Sequence, residues 1–299
     1  MLAPALLAPL MLLAQSGPAA PFRAAVDLVT LPVVVLGRGG APVSGLRVDD
    51  FEVYENGRRQ TIATFAHGAE GEVAPLHLGL MLDKSVSMER DLAAAAGAAV
   101  QFVNRLTEAR DVTFVEFDTG IRIGRYLPPS YPQLFVRMRD RRTGQGTALY
   151  DALARYVDST RALDGIHVLV LYTDGGDSTS DLTLPQLTDV LRTGQVLLYV
   201  IGYVDNQPGS ARLTQQGLLE RLAGETGGAS FFPGSTRDLD RIYRTILAEV
   251  QGRYTLGYVS SDTRADGRFR EVAVRVTRPP IGEITVRTRS GYLAPGRRR

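Results

Sequence analysis

Cysteine is absent from this sequence of 299 residues. The chain therefore has no disulfide framework, no zinc site built on thiolates and no cysteine nucleophile. A chain of this length buries enough apolar surface to be stable outside the cell without disulfides. The lack of cysteine thus excludes three kinds of chemistry and leaves export open.

Lysine is nearly absent too, because Lys84 is the only one among the 34 basic residues. Acidic residues number 32 and the net charge is +2, so the composition gives no reason to expect a nucleic-acid partner. Hydrophobic residues make up 44% and charged residues 22%, which is typical of a globular protein. We therefore predict a folded domain with no nucleic acid among its partners.

Motifs of several enzyme classes are also missing. The sequence has no G-x-S-x-G elbow, no H-E-x-x-H zinc motif and no G-x-x-x-x-G-K-[ST] phosphate loop. The segment Asp83-Lys84-Ser85 lacks the second acid of an aspartate-based phosphoryl transferase. The histidines are scattered and are predicted to be structural: His67, His77 and His167. We predict that the chain is not an enzyme.

The first twenty residues, Met1 to Ala20, have the pattern of an export signal. The apolar stretch from Leu2 to Leu13 is followed by Ala14-Gln15-Ser16, with small residues of the kind that a signal peptidase reads. The stretch is too short to span a bilayer as a stable helix, although no Lys or Arg precedes it. We predict a cleaved signal and a periplasmic or secreted protein; the alternatives are an uncleaved anchor and a segment that is neither. No other segment is predicted to span a membrane.

Between residues 74 and 251, apolar strands alternate with helices. Near-continuous apolar runs are typical of strands buried on both faces, and the helices between them predict a doubly wound, mostly parallel α/β sheet. The strand candidates are Leu76–Leu82, Val112–Phe117, Val168–Tyr172, Val196–Ile201 and Ala229–Phe232, with Ile121–Tyr126 as an antiparallel edge strand. Helix starts are predicted at Thr183 and Ser235, where a capping hydroxyl is followed three residues later by Gln186 and Asp238.

Both ends of the chain have the pattern of strands. The candidates are Ala25–Leu36, Phe51–Glu55, Gln60–Phe65, Tyr254–Val259, Glu271–Thr277 and Glu283–Thr288. Asn56-Gly57 between two alternating runs predicts a tight hairpin, because both residues tolerate positive φ. Neither end has enough strands for a stable sheet of its own. We therefore predict one small β-sandwich-like domain made of residues 22–66 and 253–294, into which residues 74–251 are inserted.

An acid and two hydroxyls at alternate positions follow the first strand of the predicted sheet. A threonine in a glycine-rich segment and a second acid after a later strand complete the pattern D-x-S-x-S … T … D. The five residues are Asp83, Ser85, Ser87, Thr147 and Asp174. Because ligands bind at the carboxyl ends of the strands in an open α/β sheet, we expect these side chains to gather at one edge. Hydroxyls and carboxylates are hard oxygen donors that suit Mg²⁺, so the sequence predicts a divalent-cation site.

These segments resemble the metal-ion-dependent adhesion site of von Willebrand factor type A domains, including integrin inserted domains. The resemblance runs from about Ala74 to Gln251 and includes Gly146-Thr147-Ala148-Leu149-Tyr150-Asp151 and Thr173-Asp174-Gly175. Val86 departs from the pattern, since glycine is commonest at that position. Outside the metal site, Asp50-Phe51-Glu52-Val53 and Tyr254-Thr255-Leu256-Gly257-Tyr258 are similar to a bacterial group of exported proteins related to this family.

The resemblance implies that the chain binds Mg²⁺ or Mn²⁺ and uses the ion to bind another protein. Ser85, Ser87 and Thr147 would contact the ion directly, and Asp83 and Asp174 would act directly or through water. Since three of the ligands are neutral, the ion stays electrophilic, and a Glu or Asp of the partner completes its shell. We expect an exported, cation-dependent protein-binding or adhesion module. A metal-dependent phosphoester hydrolase and a scaffold with a vestigial metal site are the alternatives.

Residues around the predicted site carry weaker expectations. Lys84 is expected to point to solvent rather than to lie on the rim of the site. The segment Asp177-Ser178-Thr179-Ser180 is expected to be a polar loop before a helix. Asp151 either supports the Thr147 loop or favours the start of its own helix through the helix dipole.

Overall fold

The computed structural model describes residues 28–68, 75–205, 208–277 and 282–296. The predicted export signal, Met1 to Ala20, lies outside these residues, as do residues 22–27 of the predicted β domain. Within the described residues, no helix is both long enough and apolar enough to cross a membrane.

Strands and helices alternate through the middle of the chain, and the described residues at both ends form strands, with one short 3-10 helix at Val48–Asp50. The strands are β1 (Leu28–Leu36), β2 (Phe51–Glu55), β3 (Arg58–Gln60), β4 (Ile62–His67), β5 (Leu76–Asp83), β6 (Ala109–Phe117), β7 (Ile121–Tyr126), β8 (Ile166–Thr173), β9 (Val196–Gly202), β10 (Ala229–Phe231), β11 (Tyr254–Val259), β12 (Phe269–Val276), β13 (Thr285–Arg287) and β14 (Gly291–Leu293). The α-helices are α1 (Leu92–Arg105), α2 (Tyr131–Met138), α3 (Leu149–Thr160), α4 (Leu184–Thr193), α5 (Gly209–Glu225) and α6 (Leu239–Gln251).

The central sheet has the strand order β10-β9-β8-β5-β6-β7. Its strands are parallel except for β7, which pairs antiparallel with β6 at the edge, as the sequence predicts. β5, β8 and β9 are buried along their whole length, as expected for strands covered on both faces. One face packs against α1 and α6, and the other packs against α3, α4 and α5. The doubly wound α/β fold is thereby confirmed.

Local sequence accounts for two of the helices around this sheet. At the start of α4, Gln186 Oε1 accepts the N–H of Thr183 at 2.8 Å, which forms the predicted capping box. At the start of α6, Asp238 Oδ2 accepts the N–H of Ser235 at 3.0 Å. α6 then buries an apolar stripe at spacings of three and four, namely Leu239, Ile242, Tyr243, Ile246 and Val250.

The remaining strands form two four-stranded antiparallel sheets, with the orders β13-β1-β11-β4 and β14-β12-β2-β3. Each sheet combines strands from both ends of the chain, because β1 and β4 pair with β11 and β2 pairs with β12. Apolar side chains of the two sheets share one core, which includes Val33, Phe51, Tyr254 and Val272. The α/β part thus lies, in sequence, between the two segments that build this sandwich.

The hairpin after β2 has the predicted turn. Asn56 and Gly57 join β2 to β3 with φ values of +47° and +77°. The prediction of one strand over Gln60–Phe65 is wrong, because the chain changes sheets within that range. β3 ends at Gln60 beside β2, whereas β4 begins at Ile62 and pairs with β11 in the opposite sheet. Alternation alone does not reveal this change, since β11 is supplied by the far end of the chain.

Candidate metal centre

The predicted ligands lie at the carboxyl edge of the central sheet. β5 and β8 are neighbouring parallel strands, and they end at Asp83 and Thr173. The loop after β5 carries Ser85 and Ser87, and the loop after β8 begins with Asp174. Since neighbouring parallel strands present their carboxyl ends at the same edge, these two loops lie side by side.

Asp83 is a fully buried carboxylate that organises the loop after β5. Its Oδ1 accepts the N–H of Ser85 at 2.9 Å, and its Oδ2 accepts the hydroxyl of Thr173 at 2.7 Å. Burial raises the pKa of Asp83 to about 6, and the charge of Asp174 adds to this rise, whereas the hydrogen bonds oppose it. Asp83 therefore links the ends of β5 and β8, and the negative charge of Asp174 makes its own carboxylate harder to ionise.

Ser85 and Ser87 turn their hydroxyls toward each other, with the two Oγ atoms 3.0 Å apart. Ser85 is buried and Ser87 is exposed, while Val86 between them is 45% exposed. Adjacent ligands of an octahedral ion at about 2.1 Å lie about 3.0 Å from each other. The alternate spacing thus places two oxygens at a separation that suits a single Mg²⁺ ion.

Glycines determine how the loop before α3 approaches the loop after β5. The N–H of Gly144 donates to the carbonyl oxygen of Lys84 at 2.9 Å. A Cβ on Gly144 would lie 2.6 Å from Cγ of Asp118, so no larger residue fits without displacing that side chain. Gly146 has a φ of +73°, which L side chains rarely adopt. The two glycines before Thr147 thus let this loop pack closely against its neighbours and then turn.

Thr147 is tied through its backbone to the loop after β8. Its N–H donates to Oγ of Ser178 at 3.0 Å, and its carbonyl oxygen accepts the N–H groups of Ser178 and Thr179 at 2.8 and 3.1 Å. Asp174 is buried, and its Oδ1 accepts the N–H of Gly176 at 3.0 Å. The three loops that bear the five predicted residues are thus in contact with one another at this edge.

The start of α3 is capped from a distance, by side chains of the loop after β8. The N–H of Tyr150 donates to Oδ1 of Asp177 and to Oγ of Ser180, both at 3.1 Å. In the opposite direction, the carboxylate of Asp151 accepts the N–H groups of residues 181 and 182 at 2.9 and 3.0 Å. Asp151 therefore supports the loop after β8, and through it the Thr147 loop.

Sequence reasoning missed this capping, because a helix cap is normally supplied by the residue just before the helix. That residue is Ala148, which has no side-chain oxygen. The sequence does hold a signal for this capping: a helix start with no capping side chain of its own, and the polar run Asp177–Ser180 later in the chain. The run is a loop before a helix, as expected, and Ser178 is also the hydrogen-bond acceptor of Thr147.

Lys84 does not point to solvent, so the expectation from the sequence is wrong. It is 1% exposed, and its Nζ donates to the carbonyl oxygen of Asp140. Burial lowers the pKa of Lys84, and the charges of Glu116 and Asp140 oppose this. Lys84 borders a cavity of about 230 Å³ whose lining also includes Glu116, Asp118, Arg122, Asp140 and Arg142. A residue after a strand end is exposed only where no later segment covers it, and here the segment after α2 does so.

The donor set fits a divalent cation. In the described part of the chain, no three His, Cys, Asp or Glu side chains are grouped to hold a metal. The candidate donor set consists instead of three hydroxyls and two carboxylates. The raised pKa of Asp83 reflects lost water and a neighbouring negative charge, and a bound cation offsets both effects. Hard hydroxyl and carboxylate oxygens are the ligands that Mg²⁺ prefers in proteins.

Solved structures of other proteins share this fold. A von Willebrand factor type A protein from Catenulispora acidiphila has a TM-score of 0.51 and 14% identity, over 82% of this chain and 74% of that one. The pilus adhesin SpaC from Lactobacillus rhamnosus GG has a TM-score of 0.47 and 10% identity, over 88% and 49% of the two chains. The vWF domain of the type V pili tip protein Mfa5 from Porphyromonas gingivalis has a TM-score of 0.44 and 13% identity, over 60% and 98%. At 14% identity, the similarity to the Catenulispora acidiphila protein shows a shared fold and nothing about function.

Sequence comparison gives the family. No curated protein sequence matches the chain significantly. Residues 77–245, more than half of the chain, match the profile of the von Willebrand factor type A domain. The matched range contains all five candidate ligands and every strand of the central sheet except the first residue of β5. Together with the doubly wound sheet, this match shows that the chain belongs to the von Willebrand factor type A domain family.

Proposed function

We propose that this chain is an exported protein-binding module whose binding depends on Mg²⁺ or Mn²⁺. The observation that carries the proposal is the convergence of the five candidate ligands on three contacting loops at one edge of the sheet. Membership in the von Willebrand factor type A family supports a role in protein interaction. The predicted signal at Met1 to Ala20 supports a location outside the cytoplasm.

Each candidate ligand has a distinct part in the proposal. Ser85, Ser87 and Thr147 offer neutral hydroxyl oxygens to the ion. Asp83 supplies negative charge and, through its hydrogen bond from the N–H of Ser85, also holds the loop that carries both serines. Asp174 supplies the second negative charge from the neighbouring strand.

The bound ion would act as a Lewis acid that accepts one more oxygen ligand from outside the chain. Two carboxylates only balance the charge of a divalent ion, so an additional anionic ligand is still attracted at short range. A Glu or Asp side chain of the partner protein is therefore the ligand that we propose. Binding through this carboxylate makes the interaction depend on the metal.

Titration calorimetry with magnesium chloride tests the metal site directly. Asp83→Asn removes the charge but keeps a side-chain oxygen to accept the N–H of Ser85. We expect the wild-type chain to bind Mg²⁺ and the variant to bind it at least about tenfold more weakly, because one of the two negative charges at the site is lost. Asp158→Asn is the matched control, since Asp158 is exposed at the far end of α3. Equal affinity of the wild type and Asp83→Asn for Mg²⁺ would rule out this site.

Protein binding is tested separately from metal binding. The immobilised wild-type chain should retain a partner from the source organism in magnesium and release it when EDTA is added. The Asp83→Asn chain should retain none of that partner in either condition. A partner that both chains hold equally well in EDTA would contradict metal-dependent binding.

A further inference from the structure

The edge of the sheet is electrically polarised across the candidate metal centre. The segment 137–143, which begins in the last turn of α2, contains four arginines and one aspartate, a net charge of +3. The segment 174–181, which follows β8, contains three aspartates and no basic residue, a net charge of −3. The whole chain has a net charge of only +2, so these are local concentrations of opposite sign.

The two segments lie on opposite sides of β5, which ends at the metal centre. β5 is flanked by β8 on one side and by β6 on the other. The negative segment continues β8. The positive segment is bonded to the end of β6, because Nε of Arg137 donates to Glu116 at 3.1 Å. A ligand that contacts the metal centre therefore meets a positive flank and a negative flank.

Positive charge on the first flank is only partly neutralised within the protein. Arg142 pairs with Asp140 at 2.6 Å, and Arg137 pairs with Glu116. Arg139 and Arg141 form no ion pair with any residue that the structure describes, and Arg141 is exposed. Unpaired guanidinium groups thus face solvent beside the loop that leads to Thr147.

Two of the three aspartates on the negative flank, Asp177 and Asp181, have no cationic partner among the described residues. Asp177 accepts hydrogen bonds from Ser180 and from the N–H of Tyr150, which are neutral donors. Within the described residues, neither Asp177 nor Asp181 forms an ion pair, and Asp181 is exposed. Neutral donors stabilise the carboxylate of Asp177 without removing its charge, and Asp181 is exposed, so these two residues keep the flank negative.

We propose that this polarity selects and orients the partner. The bound segment is a peptide whose acidic and basic residues are separated along its length. Its acidic half lies over residues 137–143, and its basic half lies over residues 174–181. The proposal rests on the proposed function, since a carboxylate of the same peptide is the ligand of the ion. Opposite charges on each flank attract, and the reversed orientation places like charges together, which costs affinity. The module would thereby read the charge pattern around the acidic residue as well as the residue itself.

Three fluorescent nonapeptides of identical composition test the idea. They are Asp-Asp-Asp-Gly-Glu-Gly-Lys-Lys-Lys, its reverse, and the mixed Asp-Lys-Asp-Gly-Glu-Gly-Lys-Asp-Lys. In saturating magnesium at low ionic strength, one of the two segregated peptides should bind about threefold to tenfold more tightly than the mixed peptide, the range expected for a few exposed ion pairs. The difference should shrink at about 0.5 M salt, because exposed charges are then screened.

Charge reversal on each flank identifies the surface. Arg141→Glu lowers the net charge of the positive flank from +3 to +1, and Asp181→Lys changes that of the negative flank from −3 to −1. Each variant should reduce the preference for the segregated peptide about threefold. Arg110→Glu is the matched control, since Arg110 is exposed at the start of β6, at the opposite edge of the sheet. This control should keep the full preference, and all four chains should bind Mg²⁺ alone with equal affinity.

Two results would overturn the proposal, and they are distinguishable. Equal affinity of the three peptides for the magnesium-loaded wild-type chain would show that flank charge is not read, while carboxylate binding at the metal would stand. Binding of Mg²⁺ without binding of any of the peptides would remove both the proposed partner chemistry and this inference.

Discussion

Among single residues, His167 is a buried group whose charge affects the stability of the folded protein. It lies 97% out of contact with solvent, its Nε2–H donates to the carbonyl oxygen of Leu163 at 3.0 Å, and its ring stacks on His77 at 4.9 Å. Burial lowers the pKa of His167 below its ordinary value of 6.5, and the neighbouring His77 lowers it further, against the charge of Asp111. His167 therefore binds a proton less readily in the folded protein than in the unfolded chain.

The sign of the pH effect follows from that difference. Between the two pKa values the unfolded chain binds more protons, so the contribution of His167 to stability is present above about pH 6.5 and is lost as the pH falls. Urea unfolding from pH 7 to pH 5 should show a steeper loss of unfolding free energy for the wild type than for His167→Phe, which keeps the ring and loses the titration. Parallel curves for the two proteins would disprove this assignment.

At the candidate metal centre, the residue types and their spacing could be read from the sequence, whereas their environments could not. Asp83, Ser85 and Ser87 stand at spacings that already indicate oxygen ligands at a strand end. Lys84, between them, was expected in solvent and is buried against Asp140, because residues far along the chain cover it. Such coverage is a tertiary contact, and no local pattern around Lys84 encodes it.

At the scale of elements, the start of α3 and the loop after β8 stabilise each other. Asp151→Ala removes the acceptor of the N–H groups of residues 181 and 182, so those amides should exchange with deuterium faster than in the wild type. The loss of unfolding free energy should be about 1–3 kcal/mol, since two charge-assisted hydrogen bonds are removed, one from an exposed donor and one from a half-buried donor. Hydrogen-exchange mass spectrometry and urea unfolding measure both quantities.

Asp158→Ala is the control for this change, because it removes a carboxylate from the exposed end of the same helix. It should leave the exchange of residues 181 and 182 unchanged. If Asp151→Ala and Asp158→Ala gave the same exchange rates, the capping across the two loops would contribute nothing.

Strands from the two ends of the chain depend on each other. Removing everything after Gln251 deletes β11 and β12, which are the partners of β1, β4 and β2. A two-stranded hairpin such as β2–β3 is only marginally stable alone. We expect trypsin to cut the truncated chain at Arg47, Arg58 and Arg59, while residues 75–251 stay resistant. Protection of residues 28–68 in the truncated chain, as in the full chain, would contradict the mutual dependence.

Elements were predictable where the signal is local. The capping box of Thr183 and the turn at Asn56 are encoded within a few residues, and both occur as predicted. The division of Gln60–Phe65 between two sheets was not predictable, because it depends on β11, which lies about two hundred positions later. Sequence alone gave the alternation of strands and helices, but the pairing of distant strands came from the structure.

At the scale of the whole molecule, buried charges join the sandwich to the α/β part. Arg287 in β13 donates to the carboxylate of Glu249 in α6, whose side chain is 3% exposed. Near β14, Glu225 accepts hydrogen bonds from Arg192 and from Ser290 at 3.0 and 2.8 Å. These contacts predict that the two parts unfold together.

Arg287→Met tests this coupling, because it leaves Glu249 buried without its partner. Removing one partner of a buried ion pair costs about 3–5 kcal/mol. The variant should lose unfolding free energy of that size and show two calorimetric transitions where the wild type shows one. Adding Glu249→Gln should restore much of the stability, since no uncompensated charge remains. A loss below about 1 kcal/mol would mean that the contact behaves like an exposed pair.

The burial of Lys84 makes its acetylation rate a measure of local opening beside the candidate metal centre. Because the chain has no other lysine, acylation of a side-chain amine can report on this position alone. In the structure Nζ is bonded to the carbonyl oxygen of Asp140, and Lys84 is only 1% exposed. The acetylation rate of Lys84, measured by mass spectrometry, should therefore report how often the segment after α2 moves away from the loop after β5. On the function proposed above, added magnesium should slow that reaction, since an ion bound by Ser85 and Ser87 would hold this loop in place.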